Sequence, residues 1–123
     1  MENPDKSKFH IFLLDDEETT HRLVALALRK ELGCRVTVVE NARQMFKRIQ
    51  TDPPDLLLVD FYIDEESGIE ICRSLKEIDA VRNVPVIFFS DDGDALLRAT
   101  AIRAGAVEFI RKPVFPKELI TRI

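Results

Sequence analysis

A chain of 123 residues, 46% hydrophobic and 33% charged, suits one soluble domain with one core. Eighteen basic against 22 acidic residues leave a net charge of −4, which argues against a nucleic-acid-binding face in this domain. Cys34 and Cys72 lack metal-ligand spacing and read as buried reduced thiols of a cytoplasmic protein, MENPDKSK has no signal-peptide core, and no apolar run approaches membrane-spanning length.

Residues 1–8 form a polar, flexible lead. Phe9 to Leu14 (FHIFLL) is a strand that runs into the acids Asp15, Asp16, Glu17 and Glu18. Residues 18–32 are helical, with Val24, Ala27, Leu28 and Leu32 as the apolar stripe, Glu31 interrupting it and Gly33 as the stop. Arg35 to Val39 is β-branched and short, a second strand. Asn41 caps a helix through Gln50 with Ala42, Met45, Phe46 and Ile49 on one face, and Asp52-Pro53-Pro54 breaks it.

The stretch Pro54-Asp55-Leu56-Leu57-Leu58-Val59-Asp60 follows. Four apolar residues leading into an acid describe a strand buried on both faces, with Asp60 where the sheet stops. Residues 64–68 are a polar loop, and a helix runs from Ser67 to Asp79 with Ile71, Leu75 and Ile78 inward. Val84 to Phe89 is the fourth strand, ending at Ser90, and residues 91–94 form a turn. A helix over 94–104 is closed by Gly105, Val107 to Ile110 is the fifth strand, and Arg111-Lys112-Pro113 follows. Pro116 begins a final helix that stops at Ile123, short enough to suggest a cut at a domain boundary before a C-terminal output domain. Five strands alternating with five helices predict an α/β fold with a parallel sheet covered on both faces.

The polar residues just past the strands carry the chemistry. Asp15 and Asp16 follow the first, Asp60 the third, Ser90 the fourth and Lys112 the fifth, and in a parallel sheet these ends share one edge. Taken singly, the acidic pair reads as a helix-entry cluster, Asp60 and Ser90 as caps, and Lys112 as a solvated cation. Taken together they point to phosphoryl transfer. Neighbouring carboxylates need a hard divalent cation, Mg²⁺ or Mn²⁺, to offset their repulsion. Asp60 can then attack as a carboxylate nucleophile, with Ser90 and Lys112 stabilising the phosphoryl oxygens. His10 and His21 stand isolated and receive no role.

FLLDDE at 12–17, PDLLLVD at 54–60 with Ser67-Gly68 after it, PVIFFS at 85–90 and GAVEFIRKPV at 105–114 occur in the order of a response-regulator receiver domain, which the chain resembles over nearly its whole length. The resemblance implies a doubly wound, flavodoxin-like (βα)5 three-layer sandwich with sheet order 2-1-3-4-5. It implies Asp60 as the residue phosphorylated from a histidine kinase or a histidine phosphotransfer protein. Asp15, Asp16, Asp60 and the carbonyl of Tyr62 would hold Mg²⁺, and Ser90 and Lys112, the latter before a cis proline at Pro113, would engage the phosphoryl group. Such a domain is not a conventional enzyme; it catalyses its own phosphorylation and slow dephosphorylation. Phe109 matches the aromatic that turns in behind Ser90 on phosphorylation, so that the surface of residues 94–123 changes partner or dimerises. Tyr62 and Asp92 occupy positions that would set the phosphoryl lifetime. Ile63-Asp64 stands where the family often has Met-Pro, and Asp91 where it has a small residue. Two rivals remain: a haloacid-dehalogenase-like phosphatase, which would want an acid where Tyr62 stands, and an unphosphorylated pseudo-receiver that only binds.

Overall fold

The sheet strands begin or end where proline or a charged residue interrupts an apolar run, and a computed structural model shows how they assemble. It describes residues 9–15, 18–63, 66–90, 95–111 and 117. Strands β1 (His10–Leu14), β2 (Arg35–Val39), β3 (Leu56–Asp60), β6 (Val86–Ser90) and β7 (Glu108–Arg111) form one parallel sheet in the order β2-β1-β3-β6-β7. Counting sheet strands alone, this is the expected 2-1-3-4-5. Tyr62–Ile63 (β4) and Glu66–Ser67 (β5) pair antiparallel as a short hairpin where the sequence suggests plain loop.

The two-residue period of the strands sorts their side chains onto two faces. One face carries Phe12, Leu14, Leu57, Val59 and Phe88 against α2 (Ala42–Ile49), α3 (Gly68–Lys76) and α4 (Ala95–Arg103). The other carries Ile11, Leu13, Leu58, Ile87 and Phe89, with α1 (Glu18–Leu32) covering part of it. Every residue of β1, β3 and β6 is buried, the reason these segments read as unbroken apolar runs.

Helix α1 matches its expected span, but its inward stripe is Val24, Ala25 and Leu28, with Ala27 half-buried and Glu31 exposed. Gly33 ends it at φ 64, donating to the Arg29 carbonyl at 3.0 Å. The Asn41 side chain accepts from Gln44 N–H at 2.8 Å and caps α2. Helix α3 closes at Lys76, three residues early, because Glu77 and Ile78 donate to Ser74 and Leu75 in tighter turns. Pro85 has no N–H for a ladder, so β6 starts at Val86. The N-terminal lead and the final helix expected from the sequence fall outside the described residues, apart from an exposed, helical Lys117. Cys34 and Cys72 are free and buried. Among the described residues no helix is long and apolar enough to cross a membrane.

His10, unassigned in the sequence, sits at the N-terminal edge of the sheet and is 1% exposed. Its Nε2 lies 2.6 Å from Thr37 Oγ1 and its Nδ1 3.4 Å from the Pro53 carbonyl and 3.5 Å from Asp52. Burial, reinforced by Arg35, lowers its pKa below the ordinary 6.5, although Asp52, the Pro53 carbonyl and Asp55 pull the other way. The folded state therefore resists protonation more than the unfolded chain does. Stability from this group is present above the unfolded pKa and declines as pH falls through about 6.5. Urea unfolding at about pH 7.5 and about pH 5.5 should show a smaller acid loss in His10→Gln than in the parent; equal losses would remove His10 from the account.

Candidate functional site

Strand register brings the expected residues to one edge. Leu14 pairs with Val59, so Asp15 and Asp60 are the next residues along two adjacent parallel strands, whose backbones run about 4.8 Å apart. Asp60 pairs with Phe89, placing Ser90 one step further along β6, opposite Arg111 of β7. The C-terminal ends of β1, β3, β6 and β7 are thus level, and each delivers a polar residue there.

These residues are enclosed. Asp15 is 0% exposed, Asp60 6% and Ser90 1%, the three other buried polar side chains besides His10 among the described residues. Asp15 is anchored through its own N–H to the Val39 carbonyl at 3.2 Å, which ties the start of the β1–α1 loop to β2. Its Oδ2 is buried and accepts no hydrogen bond from the described residues, while the residue takes part in further interactions. Two buried carboxylates on adjacent strand ends are a hard, anionic oxygen donor set, and such a set fits Mg²⁺ or Mn²⁺, which need few protein ligands. Tyr62 opens the hairpin two residues after Asp60, so its main chain leaves the same edge. Asp16, Asp91, Asp92, Lys112 and the Lys112–Pro113 bond lie outside the described residues, and among those described no three acidic, His or Cys side chains gather as a metal cluster.

Behind the edge lies an aromatic layer that the sequence does not announce. Phe61, 2% exposed, holds its main chain between β6 and α3: its N–H donates to the Phe89 carbonyl at 2.8 Å, and its carbonyl accepts from Gly68 N–H at 2.6 Å. Its ring meets Phe88 edge-on at 5.3 Å between centroids and Phe109 at 5.8 Å. Gly68 is required by this layer, since a Cβ there would stand 2.6 Å from Phe88 Cε1 and 3.1 Å from Phe61 Cδ1. That contact is the physical reason for the glycine of Ser67-Gly68. Phe109, which the family resemblance implies as the switch aromatic, is 2% exposed and lies inside the core.

A family model described as the response regulator receiver domain matches residues 11–123. The phosphate regulon transcriptional regulatory protein PhoB of Pseudomonas aeruginosa is 32% identical over 113 residues, which cover 92% of this chain and 49% of that protein. The DNA-binding response regulator MtrA of Mycobacterium tuberculosis is 29% identical over 119 residues, 97% of this chain and 50% of that protein. The chain thus spans about half the length of these curated relatives. Among solved structures, a response regulator from Chloroflexus aurantiacus superposes with a TM-score of 0.85 at 24% identity, covering 93% of each chain. The Mn²⁺-bound form of the response regulator Rcp1 superposes with a TM-score of 0.77 at 16% identity, covering 93% of this chain and 88% of that one. Both show the same fold.

Proposed function

Because the chain belongs to the response-regulator receiver family of two-component signal transduction, we propose that it is a phosphorylation-driven switch whose acceptor is Asp60. The donor is a phosphohistidine on a histidine kinase or a phosphotransfer protein. One Asp60 carboxylate oxygen forms the new bond to phosphorus, the N–P bond breaks, and the imidazole leaves with its electron pair. The observation that supports this most is the burial of Asp60 beside Asp15, with Ser90 buried one residue further along the adjacent strand.

Each residue has a physical task. Asp15 and Asp60, with Asp16 and the Tyr62 carbonyl, are the residues that would hold Mg²⁺. A bound divalent ion neutralises phosphoryl oxygens and offsets the repulsion between an anionic donor and an anionic site. A manganese-bound form is known for Rcp1, which shares the fold. Ser90 donates a hydrogen bond to a phosphoryl oxygen, and Lys112 supplies a positive charge. Tyr62 and Asp92 set how readily water reaches the acyl phosphate. New contacts at Ser90 bias Phe109 and the α4–β7 surface toward a second set of partners, including a second copy of the chain. PhoB and MtrA are named as transcriptional or DNA-binding regulators, and an output domain following residue 123, or a separate partner, would read the switch here. The domain occupies residues 9–123 and works in the cytoplasm.

Incubation with acetyl phosphate and Mg²⁺, followed by intact-protein mass spectrometry, tests the proposal. One phosphoryl group is expected per chain, and chelation by EDTA should suppress it. Absence of any adduct would leave a pseudo-receiver that acts by binding alone. Phosphoryl half-lives of Tyr62→Ala and Asp92→Ala should differ from the parent's by about threefold or more if water access sets the lifetime; unchanged half-lives would remove both residues from that role.

A further inference from the structure

The main chain around Asp60 is held at alternate residues. The Leu57 N–H donates to the Pro85 carbonyl at 3.0 Å, and the Phe61 N–H to the Phe89 carbonyl at 2.8 Å. Successive peptide groups of a strand point to opposite sides. Leu57 and Phe61 therefore turn theirs toward β6, and Asp60 and Tyr62 turn theirs toward β1. The β4–β5 hairpin repeats that order. The Gly68 N–H donates to the Phe61 carbonyl at 2.6 Å, which makes Phe61 and Gly68 a bonded rung. Tyr62 and Ser67 pair next, and Ile63 and Glu66 after them. Bonded and non-bonded pairs alternate along an antiparallel ladder. The hairpin is thus bonded at Ile63 and Glu66, and it leaves the main-chain groups of Tyr62 outside the ladder.

Two separate sets of bonds therefore put the Tyr62 carbonyl on one side, away from β6 and away from Ser67. On that side β1 ends at Asp15, one residue past the Leu14–Val59 pair. Mg²⁺ demands near-ideal geometry from its oxygen ligands and gives up its waters reluctantly. A carbonyl recruited from a loose loop must be ordered at each binding event. One carried between two bonded rungs is already ordered. Register matters as much as pairing, because a slip of one residue would bring Tyr62 into a bonded rung and turn its carbonyl away. Gly68 opposes that slip. A Cβ at its position would stand 2.6 Å from Phe88 Cε1 and 3.1 Å from Phe61 Cδ1, so Ser67 cannot take its place.

We propose that the β4–β5 hairpin is a positioning device for the metal site: its bonded rungs at Phe61–Gly68 and Ile63–Glu66 hold the Tyr62 carbonyl out of the ladder and on the β1 side. The inference rests on the receiver reading of that site and adds the hairpin to it. Glu66 and Gly68 are positioning residues that act through their main chains. Metal affinity in this chain then depends on the main-chain N–H of Glu66, through the rung that it completes.

The chain has a single tyrosine, so protein labelled with ¹³C at the tyrosine carbonyl gives one resonance from this group. The test titrates the protein with Mg²⁺ alone, reading affinity from the amide resonances and contact from that carbonyl. In the parent the carbonyl resonance should shift along the same binding curve as the amides. Glu66→Pro removes the N–H of the rung and should weaken Mg²⁺ binding about tenfold. Glu66→Ala removes the same charge but keeps the N–H, and should stay within about twofold of the parent. Ser67→Pro, at the non-bonded pair, should also stay within about twofold. If Glu66→Pro does not fold, Ile63→Pro removes the other N–H of the same rung and carries the same expectation. Equal affinities for the proline variant of that rung and Glu66→Ala overturn the proposal, as does Mg²⁺ binding that leaves the tyrosine carbonyl unshifted. A parent that binds no Mg²⁺ removes the metal reading of the site, and the proposal with it. A parent that binds while the proline variant binds as tightly removes the hairpin's role alone.

Discussion

Asp60→Asn protein is expected to take up no phosphoryl group from acetyl phosphate under conditions that fully modify the parent. The substitution keeps the size and planarity of the side chain at the end of β3. It removes the carboxylate that the proposed reaction uses as its nucleophile. Asp15→Asn should be milder in kind: the nucleophile survives, but the reaction slows by about 10–100-fold and recovers in part at higher Mg²⁺, as expected when a metal ligand is weakened. Asp52→Asn and Asp55→Asn are the controls. Asp55 precedes β3 by one residue, five residues before Asp60 and so about 16 Å from it along an extended strand. Asp52 lies on the same side, where it pairs with Arg35 at 3.0 Å. Both variants should be phosphorylated at the parental rate. Modification of Asp60→Asn, or an equal loss in Asp52→Asn, would place the acceptor elsewhere.

Phe88→Ala is expected to destabilise the fold by about 3–5 kcal/mol, read from urea unfolding. Phe88 is 0% exposed and central to the core face that packs on α2, α3 and α4. Its ring meets Phe61 and crowds Gly68, so truncation opens a cavity under the site where several elements converge. Gly68→Ala tests the same contact from the opposite side. A Cβ 2.6 Å from a ring that cannot retreat should cost about 1–3 kcal/mol, despite alanine's better helix propensity. In a Phe88→Leu background that penalty should shrink, and a double-mutant cycle gives the coupling directly. Additive effects would mean that helix α3 shifts to accommodate the methyl group, and the close approach would lose its explanatory role.

These two sets of variants separate chemistry from support. Asp60→Asn should leave the packing largely intact, because the residue stands at the end of its strand and asparagine keeps its shape. Phe88→Ala should not, because the role of Phe88 is volume. Phe61 lies between the two: it follows the acceptor in sequence, and its ring links Phe88 to Phe109. Any signal that passes from Asp60 to the α4–β7 surface has this packed aromatic layer available to it. The clamp formed by Arg98 and Glu108 is where that layer reaches the exterior.

The alternation of buried runs and helical stripes was legible from the residues alone, as were the five sheet strands, and the family resemblance supplied their order. Strands buried on both faces leave continuous apolar runs, and polar residues in such a frame have few places to sit except the ends. That is why Asp15, Asp60 and Ser90 stood out without any coordinates, and why the structure finds all three enclosed at one edge. Local patterns served less well where neighbours decide. In α1 the inward residue is Ala25 rather than Ala27, because the angle at which the helix meets the sheet selects among small side chains that look alike in sequence. Helix α3 ends early because its last apolar residue, Ile78, reaches the core from a turn instead of a helix.

What only the tertiary structure decided are contacts between residues far apart in the chain. Gly68 is a glycine because of a ring on β6, Phe61 matters because Phe88 and Phe109 arrive beside it, and Arg98 meets Glu108 and Phe109 across the gap between a helix and an edge strand. His10 belongs with them: a lone histidine in the sequence becomes a buried, hydrogen-bonded group through Thr37 and Pro53. Periodicity reports which side of an element faces inward; it carries no record of what waits there. The sequence by itself determined the five sheet strands and the strand-end positions of Asp15, Asp60 and Ser90, since burial and chain direction set those, while the strand order followed from the family resemblance. The packing that holds Asp60's surroundings in one state depends on shapes meeting in space, and these became visible only once the chain was folded.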